Sequence, residues 1–313
     1  MDTLELSDPA PDEVQIRIRA CAINFPDILM IQGKYQFAPP LPFAPGGEVA
    51  GDVIATGSNV RDLKVGDKVC ADTRYGGFAE AINVPANLVK PIPGDLDYAK
   101  AASYKTTYIT AFVALTLRGN LQPGETLLVH GATGGVGMAA VDLGKHFGAK
   151  VIATGGDDDK LAVVKARGAD HVINYTLPDG SLGGFREEVK ALTDGNGADV
   201  IYDPVGGSVF DESMRCINWG GRILTIGFTS GVWPQAPVNH ILIKQISVIG
   251  VRAGEVGRRN PALGKQIDDD LTALIEQKAI DPYVCQTFAL DDAVAAMKML
   301  TDRKVIGKVV ITP

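Results

Sequence analysis

From Leu121 onward, short apolar runs alternate with helix-length segments, and few folds accommodate that rhythm. "TLLVH" leads to a helix expected over 136–147, "KVIAT" to one near 159–167, "HVIN" to one near 185–192 and "ADVIYD" to one near 209–217. "RILTIG" follows, and "QISVIGV" at 245–251 supplies a sixth strand. These runs are apolar on both faces, which a strand tolerates only when covered on each side. The pattern therefore predicts an α/β fold, a doubly wound parallel sheet with helices on both faces.

The first strand enters its helix through Gly131, Gly134, Gly135 and Gly137. A backbone that approaches a pyrophosphate closely leaves no room for side chains. The helix N-terminus adds unpaired N–H groups and the positive end of the helix dipole. Against GxGxxG the first glycine is replaced by Ala132, so the spacing alone is weak; the strand before, the helix after and the βα series behind it supply the context. A glycine corner without a ligand is the alternative. The expected dinucleotide contacts are Ala132, Gly134, Gly135 and Val136, in a Rossmann-type domain.

An NAD-selective unit usually ends its second strand with an acid that accepts the ribose hydroxyls. Here the strand ends in Gly155-Gly156, which leaves room for a 2′-phosphate, with Lys160 and Tyr175 as candidates to contact it. Asp157, Asp158 and Asp159 would repel that phosphate if they pointed inward, but acids also suit a solvated first helical turn. The missing acid favours NADPH over NADH. Gly206-Gly207 and Gly227, with Phe228, fall at the same sheet edge; they line a cofactor channel or simply make turns.

The first hundred residues read differently. "EVQIRIRACAIN" alternates, with Val14, Ile16, Ile18 and Ala20 on one side and Gln15, Arg17 and Arg19 on the other. "GGEVAGDVIATG", "GDKVCA" and "GFAEAINVPA" repeat a strand-and-glycine style, and the prolines 39, 40, 42 and 45 mark a loop. The tail is mixed: a helix over about 261–278, "CQTFAL" as a strand, "DDAVAAMKML" as a helix and "KVVIT" as a last strand. The expected division is a nucleotide domain over 106–249 and a discontinuous outer domain from 1–105 and 250–313, with ligand in the cleft between them.

With 30 basic and 37 acidic residues and no basic block, a nucleic-acid partner is not expected. No apolar run approaches the roughly 20 residues that span a bilayer, and the start lacks a signal-peptide pattern, so the expectation is a cytoplasmic protein with no membrane partner. The four cysteines, Cys21, Cys70, Cys216 and Cys285, are far apart and form no CxxC pair, which argues against a disulfide framework.

"INFPDILMIQGKY", "GGEVAG", "VGDKV", "TTYITAFVAL", "GATGGVG", "GADHVINY" and "GKVVI", in this order over almost the whole chain, resemble the zinc-independent medium-chain dehydrogenase/reductase superfamily. The nearest branch is similar to the NADPH:quinone oxidoreductases of the zeta-crystallin-like group. The resemblance implies a GroES-like, mainly-β outer domain beside the Rossmann core, and a homodimer. The dimer contact is expected around "GVWPQAPVNHILIKQISVIG", although that stretch also reads as ordinary core.

Alcohol dehydrogenases of the same architecture hold a catalytic zinc with an early Cys and a His in a "GHE" turn. The corresponding places here are Asn24 and Gly47, and the closely spaced cysteines of a structural zinc lobe are absent. The four histidines, His130, His146, His171 and His240, show no paired ligand spacing. No metal site is expected, so the chemistry falls to a nicotinamide hydride and to groups that stabilise charge on the acceptor's oxygen.

Asn24 and Asp27 match the family's Asn-x-x-Asp pattern beside the nicotinamide; by themselves they read as a helix cap and a first-turn acid. Tyr35 matches a tyrosine that quinone reductases share with 2-enoyl thioester reductases, where it is the proposed proton donor; alone it reads as loop packing. A second position with a frequent family tyrosine is Leu29 here. Arg252, in "VIGVRAGE", faces cofactor or substrate, or forms a salt bridge. The expected function is NADPH-dependent, zinc-free hydride transfer to a small-molecule quinone or activated enone. The alternatives are a 2-enoyl thioester (enoyl-CoA or enoyl-ACP) reductase using Tyr35, and an NADPH-binding protein without turnover. Relatives commonly carry one more strand before "LELSDPAPDEV", and this piece is expected to be missing.

Overall fold

The computed structural model describes Thr3 and residues 5–313. The expectation about a strand before Leu4 lies outside the described residues. In chain order the strands are β1 (Glu13–Ala22), β2 (Glu48–Thr56), β3 (Lys68–Asp72), β4 (Ala81–Pro85), β5 (Val89–Pro91), β6 (Thr126–Val129) and β7 (Lys150–Gly155). They continue with β8 (His171–Asn174), β9 (Ala198–Asp203), β10 (Ile217–Thr225), β11 (Ser247–Gly250), β12 (Val284–Ala289) and β13 (Lys308–Thr312). The chain divides into two compact units: residues up to Thr106 joined by Asp281–Pro313, and Thr107–Ile280.

The first unit is mainly β. Its sheet has the order β12-β13-β1-β2-β3-β5, with β4 paired to the first half of β1. As the alternation predicts, Val14, Ile16, Ile18 and Ala20 turn into the core, while Arg17 and Arg19 face solvent. Both β2 and β13 run antiparallel to β1, so their first residues lie beside its last ones. Ala22 pairs with Glu48 on one side and with Val310 on the other. The ladder runs one residue further, where the Ile23 N–H donates to the Val309 carbonyl at 3.0 Å. One end of this sheet therefore gathers residues from positions near 23, 48 and 309.

The second unit is the expected doubly wound sheet, with six parallel strands in the order β11-β10-β9-β6-β7-β8. Leu127, Leu128, Val151, Ile152, Val200 and Ile201 are completely buried, as strands covered on both faces must be. Strand order reverses between β6 and β9. In open α/β sheets that crevice, outside the carboxyl ends of the strands, is where ligands bind.

The residues 250–280 differ from the expected division. The helices Ala253–Arg259 and Pro261–Glu276 belong to the second unit. The longer one buries Ile267, Leu271, Leu274 and Ile275. It crosses the shorter one at Gly257 and Gly264, where a Cβ on Gly264 would sit 2.6 Å from the Gly257 Cα. The sequence shows the amphipathic face but not what covers it. Among the described residues, no helix is long and apolar enough to cross a membrane.

Candidate functional site

β6 delivers the chain to the reversal point and the glycine turn carries it into the helix Gly135–His146. Gly131 has φ of 54°, a left-handed conformation that favours glycine. A Cβ on Gly137 would collide with the Gly131 carbonyl oxygen, so the turn closes only with hydrogen at that position. Gly134 sits at the N-cap, where no side chain caps the helix, and the nearest atom to a Cβ there is the Gly131 oxygen at 3.5 Å. The first-turn N–H groups of Gly135, Val136 and Gly137 thus end in a turn where Gly131, Gly134 and Gly135 carry no side chain. An anion suits this place: three donors, the helix dipole and room for a phosphate oxygen converge.

The strand ends around this turn come together. A Cβ on Gly155 would lie 3.2 Å from Thr133 Cγ2, which seats the end of β7 against the glycine turn. Gly156 faces Thr176 Oγ1 and the Tyr175 ring, at 2.6 and 3.9 Å from an added Cβ. Pro204 and Val205, after β9, pack on Gly131. Gly206 and Gly207, with φ of 71° and 56°, turn the chain, and Gly206 faces the ring of Phe228. Gly227 approaches the Pro204 carbonyl. Ala132, Gly134, Gly155, Gly206, Gly227 and Phe228 therefore share one sheet edge.

The acid triplet is accounted for locally. Asp157 caps its helix by accepting the Lys160 N–H at 3.0 Å, Asp158 accepts from Asn174 Nδ2 at 2.9 Å, and all three acids are exposed. Lys160 is half-buried in the first turn of that helix. Arg252 is 63 % exposed in its side chain and pairs with Glu255 at 3.4 Å, the salt bridge being one of its two expected roles.

Two polar groups are buried beneath this edge: Asp203, which escaped the sequence reading, and His130, which was weighed there only as a metal ligand. Asp203, the last residue of β9, is fully buried; its Oδ1 accepts the N–H groups of Val205 and Gly206 at 2.8 and 2.9 Å. Its Oδ2 is buried and has no partner among the described residues. Burial pushes its pKa up, while the two backbone bonds pull the other way. His130 is also fully buried. Ser213 donates its hydroxyl to the Val209 carbonyl at 2.7 Å, so it accepts from His130 Nε2–H at 2.8 Å, and Nδ1 accepts from Thr154 at 2.8 Å. The imidazole is neutral, burial pushing its pKa down to about 3. It ties together β6, β7 and the helix Ser208–Cys216.

The first unit has its own polar cluster. β1 ends at Ala22, and Asn24 precedes the short helix Phe25–Ile31. The Asp27 carboxylate accepts the Asn24 N–H at 2.7 Å and the Gly46 N–H at 3.1 Å, fixing helix and proline loop to the strand end. Asp27 is 1 % exposed, and burial raises its pKa to about 6 against the pull of those two bonds. The Asn24 side chain donates from Nδ2 to Glu48 Oε2 at 2.8 Å and accepts at Oδ1 from Lys308 Nζ at 2.6 Å. Lys308 also reaches Glu48 Oε2 at 3.3 Å, and Glu48 Oε1 accepts the Thr106 N–H at 2.6 Å. Asn24 and Asp27 thus belong to one network, whereas Tyr35 is half-buried in the loop after the helix and its hydroxyl has no hydrogen-bond partner among the described residues.

Glu48 and Lys308 were not among the expected site residues. Their signal was present in "GGEVAG" and "GKVVI", where one charge interrupts an apolar strand. Only the antiparallel pairing of β1 with both β2 and β13 shows that the two charges meet. Among the described residues, no group of three or more His, Cys, Asp or Glu side chains is placed to hold a metal ion.

Comparison with known proteins agrees with this geometry. Residues 10–94 match the alcohol dehydrogenase GroES-like domain, and residues 135–267 match the family described as zinc-binding dehydrogenase. The quinone oxidoreductase-like protein 2 homolog of Nematostella vectensis is 40 % identical over 313 residues, covering 99 % of this chain and 84 % of that protein. Escherichia coli quinone oxidoreductase, solved in complex with NADPH, aligns over 100 % of this chain and 95 % of its own with a TM-score of 0.87 at 29 % identity. The CurK enoyl reductase aligns over 99 % and 94 % with a TM-score of 0.86 at 26 % identity.

Proposed function

Because the chain belongs to the medium-chain dehydrogenase/reductase superfamily, we propose that this oxidoreductase takes NADPH and passes a hydride, without zinc, to quinones or related activated enones. The uncapped glycine turn at the reversal point of the parallel sheet carries this reading: it offers backbone donors at a helix N-terminus that no side chain caps, with Gly134 at the N-cap. Gly156 and Tyr175, with no acid at the strand end, suit a 2′-phosphate. A solved relative in complex with NADPH supports the same choice.

NADPH, held at the glycine turn, would supply the hydride, and solvent would supply the proton that the acceptor's reduced oxygen takes up. The chain's own residues have the remaining tasks. Gly134, Gly135 and Val136 hold the pyrophosphate, and Asn24 and Asp27 are the polar groups assigned to the reacting end. The Asn24–Lys308 bond supports the zinc-free reading on chemical grounds. Asn24 stands where the alcohol dehydrogenases place a cysteine ligand, and an amide whose oxygen is taken by Lys308 offers a divalent cation no thiolate.

The rival reading is a 2-enoyl thioester reductase, favoured by the unpartnered Tyr35 hydroxyl and by the enoyl reductase among the structural relatives. NADPH oxidation measured with a small quinone, an enone and crotonyl-CoA separates the two. The quinone should be reduced fastest, at a rate chelator does not change, and Tyr35→Phe should leave that rate within about twofold. Crotonyl-CoA as the fastest acceptor, with a loss of at least about 10²-fold in Tyr35→Phe, would establish the rival. Tight NADPH binding without turnover of any acceptor would make the protein a binder.

A homodimer belongs to the same proposal. Trp233, Val238 and Leu242, in the segment leading to β11, are 81 %, 75 % and 77 % exposed, and the outer edge of β11 has no strand partner among the described residues. An apolar patch next to an open edge suits a second copy of the sheet. Leu242→Asp should convert a dimer to a monomer in sedimentation. The three buried free thiols, Cys21, Cys70 and Cys216, agree with a reducing, cytoplasmic compartment.

A further inference from the structure

The orientation of the Asn24 amide is decided by its neighbours. An ammonium can only donate and a carboxylate can only accept. Oδ1 must therefore face Lys308 Nζ, at 2.6 Å, and Nδ2 must face Glu48 Oε2, at 2.8 Å. The flipped amide would set nitrogen against ammonium and oxygen against carboxylate. The two charged partners are held in turn: Glu48 by the Thr106 N–H, and Lys308 by Glu48. Both are nearly inaccessible, Glu48 at 2 % and Lys308 at 5 %, whereas Asn24 is only half-buried. Its backbone N–H is taken by Asp27. One hydrogen of Asn24 is left without a partner among the described residues, the second on Nδ2.

A buried ion pair of this kind is a poor device for stability, since apolar residues of the same volume often serve as well or better. Its effect here is directional. The ammonium on Oδ1 draws electron density through the conjugated amide and strengthens Nδ2 as a donor, while Glu48 fixes the plane in which the second hydrogen points. We propose that Lys308 and Glu48 are positioning residues of the hydride-transfer reaction, locking Asn24 so that its remaining amide hydrogen is donated to the acceptor oxygen. The proposal rests on the reductase reading above. As the hydride moves from NADPH to the acceptor, two electrons go with it, the coenzyme becomes NADP⁺ and the displaced π pair collects on that oxygen. The Asn24 hydrogen stabilises this charge until solvent supplies the proton.

A double-mutant cycle tests the lock, using the acceptor that the wild-type protein reduces fastest. Lys308→Met should lower kcat by about 10²-fold, the loss expected for one donor to a developing oxyanion, with the NADPH dissociation constant changed by less than about twofold. Asn24→Ala should cost a similar factor, and adding Lys308→Met to it should cost less than about twofold more. If Lys308→Met costs the same factor with Asn24 and without it, the lysine has no action through Asn24 and the proposal is wrong. Should Lys308→Met fold poorly, the charge-neutral pair Glu48→Gln with Lys308→Met replaces it in the same cycle. If the wild-type protein reduces no acceptor, the reductase reading fails separately. The lock is then read from asparagine-selective ¹⁵N spectra. One slowly and one rapidly exchanging hydrogen on Asn24 Nδ2, with the slow one lost in Lys308→Met, supports it. Two rapidly exchanging hydrogens in the wild-type protein overturn it.

Discussion

His130 has an ordinary imidazole in the unfolded chain, near 6.5, and one pushed down to about 3 in the folded chain. The cause is burial: the ring is wholly inaccessible, and water cannot reach it to solvate the cation. Below pH 6.5 the unfolded chain takes up a proton that the folded chain refuses. Stability is therefore complete above 6.5 and is lost as pH falls toward 3. Each pH unit in that window costs up to about 1.4 kcal/mol, so the step from pH 7 to pH 5 should cost the second unit about 2 kcal/mol. Asp27 acts in the opposite sense in the first unit. Its folded pKa of about 6 lies above the unfolded 3.8, so it binds its proton more readily when folded. Over the same step the first unit should gain about 1 kcal/mol from this group. Hydrogen exchange read peptide by peptide distinguishes the two units, which a single unfolding curve does not. Amides of β6 and β7 should lose protection between pH 7 and pH 5, after correction for intrinsic exchange. His130→Gln, which keeps a donor toward Ser213 but does not titrate, should remove most of that slope. An unchanged slope in His130→Gln would refute the reasoning, because the proton would then be binding elsewhere.

The glycine positions make two further predictions. Gly137→Ala should weaken NADPH binding roughly 10²-fold, since its Cβ collides with the Gly131 carbonyl and the turn must open; coenzyme fluorescence titration reads this, and affinity within about threefold of wild type would count against the glycine turn as the pyrophosphate site. Gly156→Asp combined with Thr176→Ala, which clears the oxygen 2.6 Å from the new Cβ, should shift the ratio of NADPH to NADH affinity by at least about tenfold toward NADH, roughly 1.4 kcal/mol. An unchanged ratio would place the 2′-phosphate away from Gly156.

Strand and helix order in the second unit was legible because both periods and punctuation agree there. Runs such as "TLLVH" and "ADVIYD" are short, largely apolar and each followed by a helix-length segment, which suits covered strands, and the glycine turn sits between the first such strand and its helix. Sequence alone also supplied the residues proposed for the chemistry, Asn24 and Asp27 through a family motif they resemble and Gly155-Gly156 through the acid they lack. Tertiary structure decided everything that depends on which strands become neighbours. The helices over 253–276 belong to the second unit and cross each other closely at Gly257 and Gly264, a contact that amphipathic periodicity does not encode. Glu48 and Lys308 lie 260 positions apart and read as isolated charges in apolar strands. Two antiparallel pairings bring them to the same end of β1, where the low-dielectric interior requires each charge to find the other. Local propensity reports the conformation of neighbours along the chain, and a buried ion pair reports the topology of the sheet.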